Sequence, residues 1–407
     1  MRKHDVVFII STGNITLPDA TFYLSDGKTY PDYLVAEDSC VHDPGQAALA
    51  LTIGSVAPST LMAGPMGRTR AAAQADYPSP FTRCGPGIRK EIKPELVEYG
   101  GNYSLTEEVP RRFGTNRGLD VPMASHQLTP SLTHGSGTSF AAARTSHKLA
   151  CILGDLRGLN LEPSGVLLKA LLVNSAQYAA TNAELDALSD ALNPAQRRAW
   201  LNVLGYGAPD NIRAMDCDQH TVVMYFDGTI ESNKTVFFDI PVPEDLIQAE
   251  QGTKRLTVTL VHHPNVQRWG LEEYLGTIMK WRMFRGDLTR DEVIDAMSAS
   301  EAEEDTDEEE DEDGPKELKF ELGVSRRSRG CVQHDIYEWK RHLAHHSSNS
   351  YTFAITSQER WGRNSPDPIP YAVVIRLEET SGTAPIYAAV SNALTTARAV
   401  VTAGQRA

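Results

Sequence analysis

The spacing of apolar residues changes near residue 216 of this 407-residue chain, and this change constrains the fold more than any other feature. Before it, short β-branched runs such as DVVFII and ALALTIGSVA alternate with runs of helical spacing such as SGVLLKALLVNSA. After it, strand-like runs such as KRLTVTLVHHP and IPYAVVIRLEE are separated by turn residues. The pattern predicts an α/β domain with a parallel sheet over residues 1–216 and a β-rich domain over residues 217–407.

Individual segments predict the elements of each domain. Val6–Ile10 is a short apolar run that indicates a buried parallel strand. Helical spacing predicts three helices. They run from Ser139 to a stop at Gly158, from Pro163 through a segment that is apolar on most faces, and from about residue 183 to 204. In the second domain, residues 270–286 have an amphipathic pattern that indicates a helix. The remaining strands of that domain predict a β-sandwich.

The charge of the chain is concentrated in one segment. Eleven carboxylates lie between Glu301 and Asp313, so that segment accounts for most of the formal net charge of −14 and leaves −3 for the rest. A nearly balanced body argues against nucleic acid as a partner, because phosphate binding needs a basic face. The acidic segment has nothing apolar to bury, and we expect a solvated, disordered loop at about residues 299–316.

The numbers and positions of cysteine, histidine and apolar residues also limit which cofactors and which cellular location are expected. Five scattered cysteines without a CxxC pair indicate neither a disulfide framework nor a zinc site, and they favour the cytoplasm. No apolar run is long enough to span a membrane. The histidine pairs His262–His263 and His345–His346 lack further ligands at metal spacing and are interpreted as loop residues. We therefore expect no metal and no cofactor.

The segment HGSGTSFAAARTSH, residues 134–147, carries the first chemical signal. Ser139 follows a Gly-Thr pair at the start of an alanine-rich helix. A helix N-terminus offers unpaired N–H groups and partial positive charge, which stabilise an oxyanion that forms next to a serine nucleophile. The alternative is that Ser139 is simply the N-cap of the helix, a position where serine is common.

Several further segments occur in a fixed order along the first half of the chain. They are STGN (11–14), LTIGSVA (51–57), SPFTRCGPG (79–87), IKPELVEYGGN (92–102), GTSFAAA (137–143), LLVNSA (171–176) and GYGAPD (205–210). In this order they resemble the subtilisin-like serine peptidases, or subtilases, over about residues 5–215. Ala143 departs from the family pattern, which has proline at that position.

The resemblance implies a role for each site residue. Ser139 would be the nucleophile that forms an acyl intermediate in peptide hydrolysis. Asn14 would donate its side-chain amide to the oxyanion, helped by the Ser139 backbone N–H and by Thr138.

The same resemblance assigns a substrate pocket. Ser11, Thr12 and Gly13, with Thr138, would contact the substrate residue that precedes the scissile bond. Asn14, considered alone, is equally typical of a turn after a strand.

The aspartate and histidine of the subtilase triad are not visible in the sequence. Both precede the oxyanion asparagine in the family, and here that asparagine is residue 14. His134 has no counterpart in the family, and His147 lies about two helical turns, or ~12 Å, beyond Ser139. Three hypotheses remain open: an incomplete sequence of an intact serine endopeptidase, a split enzyme whose partner chain supplies both residues, and an inactive relative that binds a partner.

Overall fold

The chain divides into two compact units, Met1–Ala214 and Met215–Ala407, two residues before the boundary drawn from the sequence. The computed structural model describes residues 5–64, 67–243, 252–267, 273–286, 288–299, 317–340, 350–362, 367–380, 382 and 385–392. The predicted acidic loop, apart from residue 299, lies outside the described residues.

A three-stranded parallel sheet positions the two loops that lead to the candidate site, since each loop follows one of its strands. The strands of the first unit are Ile9–Ser11 (β1), Leu51–Val56 (β2), Thr69–Ala71 (β3), Leu96–Tyr99 (β4), Ser104–Thr106 (β5), Arg112–Gly114 (β6), Val121–Ala124 (β7) and Leu132–Gly135 (β8). The parallel sheet has the order β1-β2-β4, and its central strand is entirely buried. Because the three strands are parallel, the carboxyl ends of β1 and β4 lie at the same end of the sheet.

Antiparallel strands complete this unit in two smaller groups. The strands β3, β5 and β6 form one sheet, and β7 pairs with β8 in another. Short 3-10 helices at Asp32–Val35, Glu37–Ser39 and Ile88–Lys90 lie in the connections.

The first predicted strand is shorter and more exposed than its sequence indicates. Strand pairing begins only at Ile9, and the side chains of Val6 and Phe8 are 45% and 46% exposed. The prediction of a buried strand over Val6–Ile10 is therefore wrong. Among the described residues β1 pairs with β2 alone, so one edge of this apolar segment has no neighbour to cover it.

The first unit also contains α-helices, the last of which ends at the boundary with the second unit. They are Leu17–Ser25 (α1), Thr138–Gly158 (α2), Gly165–Asn174 (α3), Asn182–Leu192 (α4), Leu201–Leu204 (α5) and Asn211–Met215 (α6). Helix α2 packs against β1, β2 and β4 and ends at the predicted Gly158. All residues of α3 are buried, as its apolar run predicts, and Ser164 caps it by accepting a hydrogen bond from the Leu167 N–H.

The third predicted helix is interrupted. Helix α4 ends at Leu192, and Asn193 adopts an extended conformation before Pro194. A residue that precedes proline is sterically disfavoured in the helical region, which explains the break. Helicity resumes only in the short α5, at Leu201–Leu204.

A buried carboxyl group next to Ile88–Lys90 makes stability depend on pH. Burial raises the pKa of Glu91 to about 7, and Glu95 adds to the rise while Lys93 opposes it. The folded state therefore keeps a proton that the unfolded chain releases near pH 4.5, and stability falls as pH rises from about 5 to 7.5. We expect a loss on the order of 2 kcal/mol across this range.

Urea denaturation at several pH values measures this dependence. Glu91→Gln mimics the protonated form, so the variant should lack this part of the pH profile. An unchanged profile in Glu91→Gln would show that other groups cause it.

The second unit consists mainly of antiparallel strands. They are Thr221–Ile230 (β9), Thr235–Pro241 (β10), Lys254–His262 (β11), Thr277–Arg285 (β12), Val332–Trp339 (β13), Ser350–Glu359 (β14) and Ile369–Glu379 (β15). One sheet has the order β13-β11-β15-β9 and the other β10-β14-β12. Side chains of both sheets, among them Val258, Val373, Trp281 and Phe353, belong to one buried hydrophobic cluster.

This unit also contains the helices Arg290–Ala299 (α7) and Val324–Arg327 (α8). The prediction of an α/β unit with a parallel sheet followed by a β-rich region is confirmed. No helix within the described residues is long and apolar enough to cross a membrane.

The helix predicted over residues 270–286 is instead a strand. Residues Thr277–Arg285 form β12, which pairs with β14. Met279, Trp281 and Met283 are buried and alternate with half-buried basic residues. This is the period of two that a strand requires, and the amphipathic pattern alone did not separate it from a helix.

One histidine pair is also placed differently from its prediction. His262 ends strand β11 and His263 follows it, and both side chains are buried rather than exposed in a loop. The pair His345–His346 lies outside the described residues.

Candidate active site

Three chain segments meet at the N-terminus of α2. The first follows β1 and contains Asn14, the second follows β4, and the third precedes α2 itself. The Gly137 N–H donates a hydrogen bond to the Gly100 carbonyl at 2.8 Å. Gly101 has φ +108°, and a Cβ at this position would lie 2.3 Å from Ser136 Oγ, so only glycine permits this approach.

The side chain of Asn14 contacts the start of α2, although Asn14 and Thr138 are 124 positions apart in the sequence. Its Oδ1 accepts hydrogen bonds from the Thr138 backbone N–H at 2.9 Å and from Thr138 Oγ1 at 3.0 Å. Because both partners donate, the oxygen of the amide faces Thr138, and Nδ2 is left as a donor. No described residue accepts a hydrogen bond from Asn14 Nδ2, and the side chain is exposed.

Ser139 is the second residue of α2 and is exposed. The N-cap of the helix is Gly137, which provides no side-chain hydrogen bond, so the alternative interpretation of Ser139 as the N-cap is wrong. The first turn has no acidic side chain that would neutralise the partial positive charge of the helix end. Both the hydroxyl and the backbone N–H of Ser139 lack a hydrogen-bond partner within the described part of the chain.

The predicted pocket residues differ in accessibility. Ser11 and Gly13 are half-buried, whereas Thr12 and Thr138 are fully buried. Both donors of Thr138 bind Asn14, which makes Thr138 a residue that orients the asparagine rather than one with a free donor. The backbone of Thr12 bonds to Ile53, so this turn is fixed to the sheet. Substrate contact by these residues stays a prediction.

A general base for Ser139 is not found in the region that the structure describes. His134 is exposed on β8, and the Nε2 of His147 faces the Sγ of Cys151 at 3.7 Å. Neither histidine forms a hydrogen bond with Ser139. The described residues contain no group of three or more His, Cys, Asp or Glu arranged to hold a metal ion.

Buried charges fix α2 against the sheet. Glu98 of β4 is 1% exposed and forms ion pairs with Lys148 and with Arg144, the latter at 3.1 Å. Lys148 also donates to the Pro209 carbonyl at 2.6 Å. These contacts hold the helix that carries Ser139, and only the charged residues on α2 hinted at them before the structure was known.

Sequence reasoning also missed Arg83, which lies beside Asn14. This side chain is 9% exposed and donates from Nε to the Asn14 carbonyl at 3.3 Å. Its Nη1 donates to the carbonyls of Asp38 at 2.7 Å and Cys40 at 3.1 Å. The segment SPFTRCGPG contains this arginine, but nothing in the local pattern indicates its burial.

The chain belongs to the subtilase family. The family profile, described as the subtilase family of S8 peptidases, matches residues 1–207. The uncharacterized protein y4bN of Sinorhizobium fredii (strain NBRC 101917 / NGR234) is 30% identical over 387 residues, which are 92% of this chain and 85% of that protein. The resemblance drawn from the sequence motifs is confirmed, and the chain is a subtilase-like peptidase at the level of its family.

Similarity to solved structures is weaker. The prenylagaramide maturation protease PagA aligns with a TM-score of 0.29 at 17% identity, over 53% of this chain and 50% of that chain. The match thus spans half the length of that protease. A structure of tomato aspermy virus aligns with a TM-score of 0.19 at 13% identity, over 42% of this chain and 85% of that chain.

Proposed function

We propose that this chain carries the nucleophile and the oxyanion-binding group of a subtilisin-like serine endopeptidase. Its substrates are proteins or peptides. The observation that supports this most directly is the pairing of Asn14 with Thr138, the residue before the exposed Ser139, in which Asn14 Nδ2 has no acceptor among the described residues.

In this proposal Ser139 Oγ attacks the carbonyl carbon of a peptide bond. The oxygen of that carbonyl becomes negative and accepts hydrogen bonds from Asn14 Nδ2 and the Ser139 N–H, at the positive end of α2. The amine leaves after it gains a proton, and an ester to Ser139 remains. Water then hydrolyses the ester. No cofactor takes part.

The base that accepts the Ser139 proton, and the aspartate that orients it, come from outside the described residues in this proposal. They belong either to further sequence of the same polypeptide or to a partner chain. Among the described residues strand β1 has an open edge, and the half-exposed Val6 and Phe8 lie just before it in the chain. Such an edge is suited to bind an additional strand.

The second candidate is an inactive subtilase relative that binds a protein partner. The absence of a histidine or carboxylate bonded to Ser139 within the described residues favours it. The free donors at the site oppose it, because a binding role does not require Asn14 to be oriented toward the helix N-terminus.

We propose further that the second unit is a sandwich-like accessory domain. Its two sheets contribute to a single hydrophobic cluster, as the inner faces of a sandwich do. In subtilases such domains aid folding or substrate choice. Nucleic acid and membrane are not partners in this proposal, and the cytoplasm remains the predicted location.

Covalent labelling tests the proposal. The purified chain is incubated with a fluorophosphonate, and modified serines are located by mass spectrometry. Ser139 should be modified selectively, because oxyanion stabilisation alone retains about 10³–10⁴ over water in subtilisin variants that lack triad members. Ser139→Ala should abolish the labelling.

Ser146 provides the matched control. It is exposed on the same helix, but its hydroxyl donates to the Ala142 carbonyl and it has no oxyanion donor beside it. Ser146→Ala should label as the natural chain does. If Ser139 reacts no faster than Ser146, the proposed oxyanion site formed by Asn14 and the helix N-terminus is wrong, and the binding protein is favoured.

A further inference from the structure

Arg83 is a buried cation without an anionic partner. No described carboxylate lies within ion-pair distance of its guanidinium, and its hydrogen bonds to described residues all go to main-chain carbonyls. Neighbouring Cys84 does not compensate the charge, because burial raises the pKa of its thiol well above the ordinary value. Buried charges in proteins are normally paired.

One edge of the guanidinium remains available. The carbonyls of Asn14, Asp38 and Cys40 use the donors on Nε and Nη1. No described residue bonds to Nη2, and Nη2 is not among the buried polar atoms that lack a partner, so it reaches the surface. The two N–H donors of Nη2 therefore have no protein acceptor within the described residues, and Nη2 is not fully enclosed.

The Arg83 side chain packs against the turn that follows β1. A Cβ built on Gly13 would be 3.2 Å from Arg83 Cδ and 3.7 Å from His42 Cβ. Gly13 has φ +90°, which favours glycine, so no side chain separates this turn from Arg83. His42 is exposed and its N–H donates to the Thr12 carbonyl.

We infer that Arg83 binds the side-chain carboxylate of an acidic substrate residue, so that the enzyme cleaves after glutamate or aspartate. This inference rests on the proposed function, because it places that residue against Ser11–Gly13, immediately before the bond attacked by Ser139. Arg83 Nη2 donates to the carboxylate. A hydrogen bond to a charged group in a partly buried site favours the acidic side chain by about 10–100-fold.

Matched peptidyl diphenyl phosphonates test the inference. They differ only in the residue that occupies the position before the reactive phosphorus: glutamate, glutamine or lysine. The rate of Ser139 modification in the natural chain should be highest with glutamate, about 10–100-fold above glutamine, and lowest with lysine. In Arg83→Gln the glutamate and glutamine probes should react at similar rates.

Arg83 also ties three chain segments together, so thermal unfolding of each variant is measured alongside. Arg83→Lys keeps the charge and should keep a preference for glutamate even where its carbonyl contacts are lost. Equal rates with glutamate and glutamine in the natural chain overturn the inference while leaving the proposed function intact.

A binding measurement separates the two failures. Acetylated tetrapeptides that end in glutamate or glutamine are titrated into Ser139→Ala by calorimetry. If no phosphonate labels Ser139, the proposed function fails, and the calorimetry decides the inference. Tighter binding of the glutamate peptide, lost in Ser139→Ala combined with Arg83→Gln, supports an acid-binding pocket, and equal binding refutes it.

Discussion

Replacing Asn14 with aspartate is expected to slow the modification of Ser139 by about 10²–10³-fold without unfolding the chain. That factor is the one known for loss of the oxyanion asparagine in subtilisin, not one obtained from this structure. Aspartate keeps an oxygen that accepts the two hydrogen bonds from Thr138. It removes the Nδ2 donor and adds a negative charge where the oxyanion forms.

The rate is measured with the fluorophosphonate, and stability by thermal unfolding. A carboxylate at the helix N-terminus interacts favourably with the dipole, so the unfolding temperature of Asn14→Asp should not fall. Asn182→Asp makes the same chemical change at an exposed position of α4 and should label normally. An unaltered rate in Asn14→Asp would remove Asn14 from the mechanism.

Replacing Arg327 with methionine is expected to lower the free energy of unfolding of the second unit by about 3–5 kcal/mol. Arg327 and Asp335 form an ion pair at 2.9 Å with side chains 2% and 0% exposed. Arg327 also donates to the Trp281 carbonyl, and its guanidinium lies 3.7 Å from the centre of that indole ring. The substitution leaves the carboxylate of Asp335 buried without its cation.

Urea denaturation measures the loss, and a double variant identifies its cause. Asp335→Asn retains an oxygen for the N–H groups of Leu322 and Ile336 but carries no charge. Arg327→Met combined with Asp335→Asn should therefore be more stable than Arg327→Met alone. The partly exposed pair Arg255–Glu338 is the control, and Arg255→Met should cost less than about 1 kcal/mol.

The sequence pattern correctly predicted those elements in which the spacing of apolar residues by itself determines which side chains are buried. Helix α3 is apolar on most faces and all of its residues are buried, and α2 ends at the glycine that breaks its pattern. The order of the motifs also sufficed to identify the family, since each motif is local. The prediction failed for β12, where the neighbouring strand β14 supplies the hydrogen bonds that make an ambiguous amphipathic segment extended.

The burial of β1 was predicted wrongly for a related reason. An apolar segment is buried only where a neighbour covers it, and Val6 and Phe8 have none on the open edge of the described sheet. The apolar residues of a segment indicate that it can be buried, but the order of the strands in the sheet determines whether a neighbour covers it.

The sequence by itself determined the two-part organisation, the family and the identity of Ser139 and Asn14 as candidate site residues. Only the tertiary structure decided how they act together. The bonds from Thr138 orient Asn14 across 124 residues of sequence, and packing buries Arg83 beside the same turn. Both arrangements depend on distances between segments that are far apart in the chain, and residue spacing does not contain those distances.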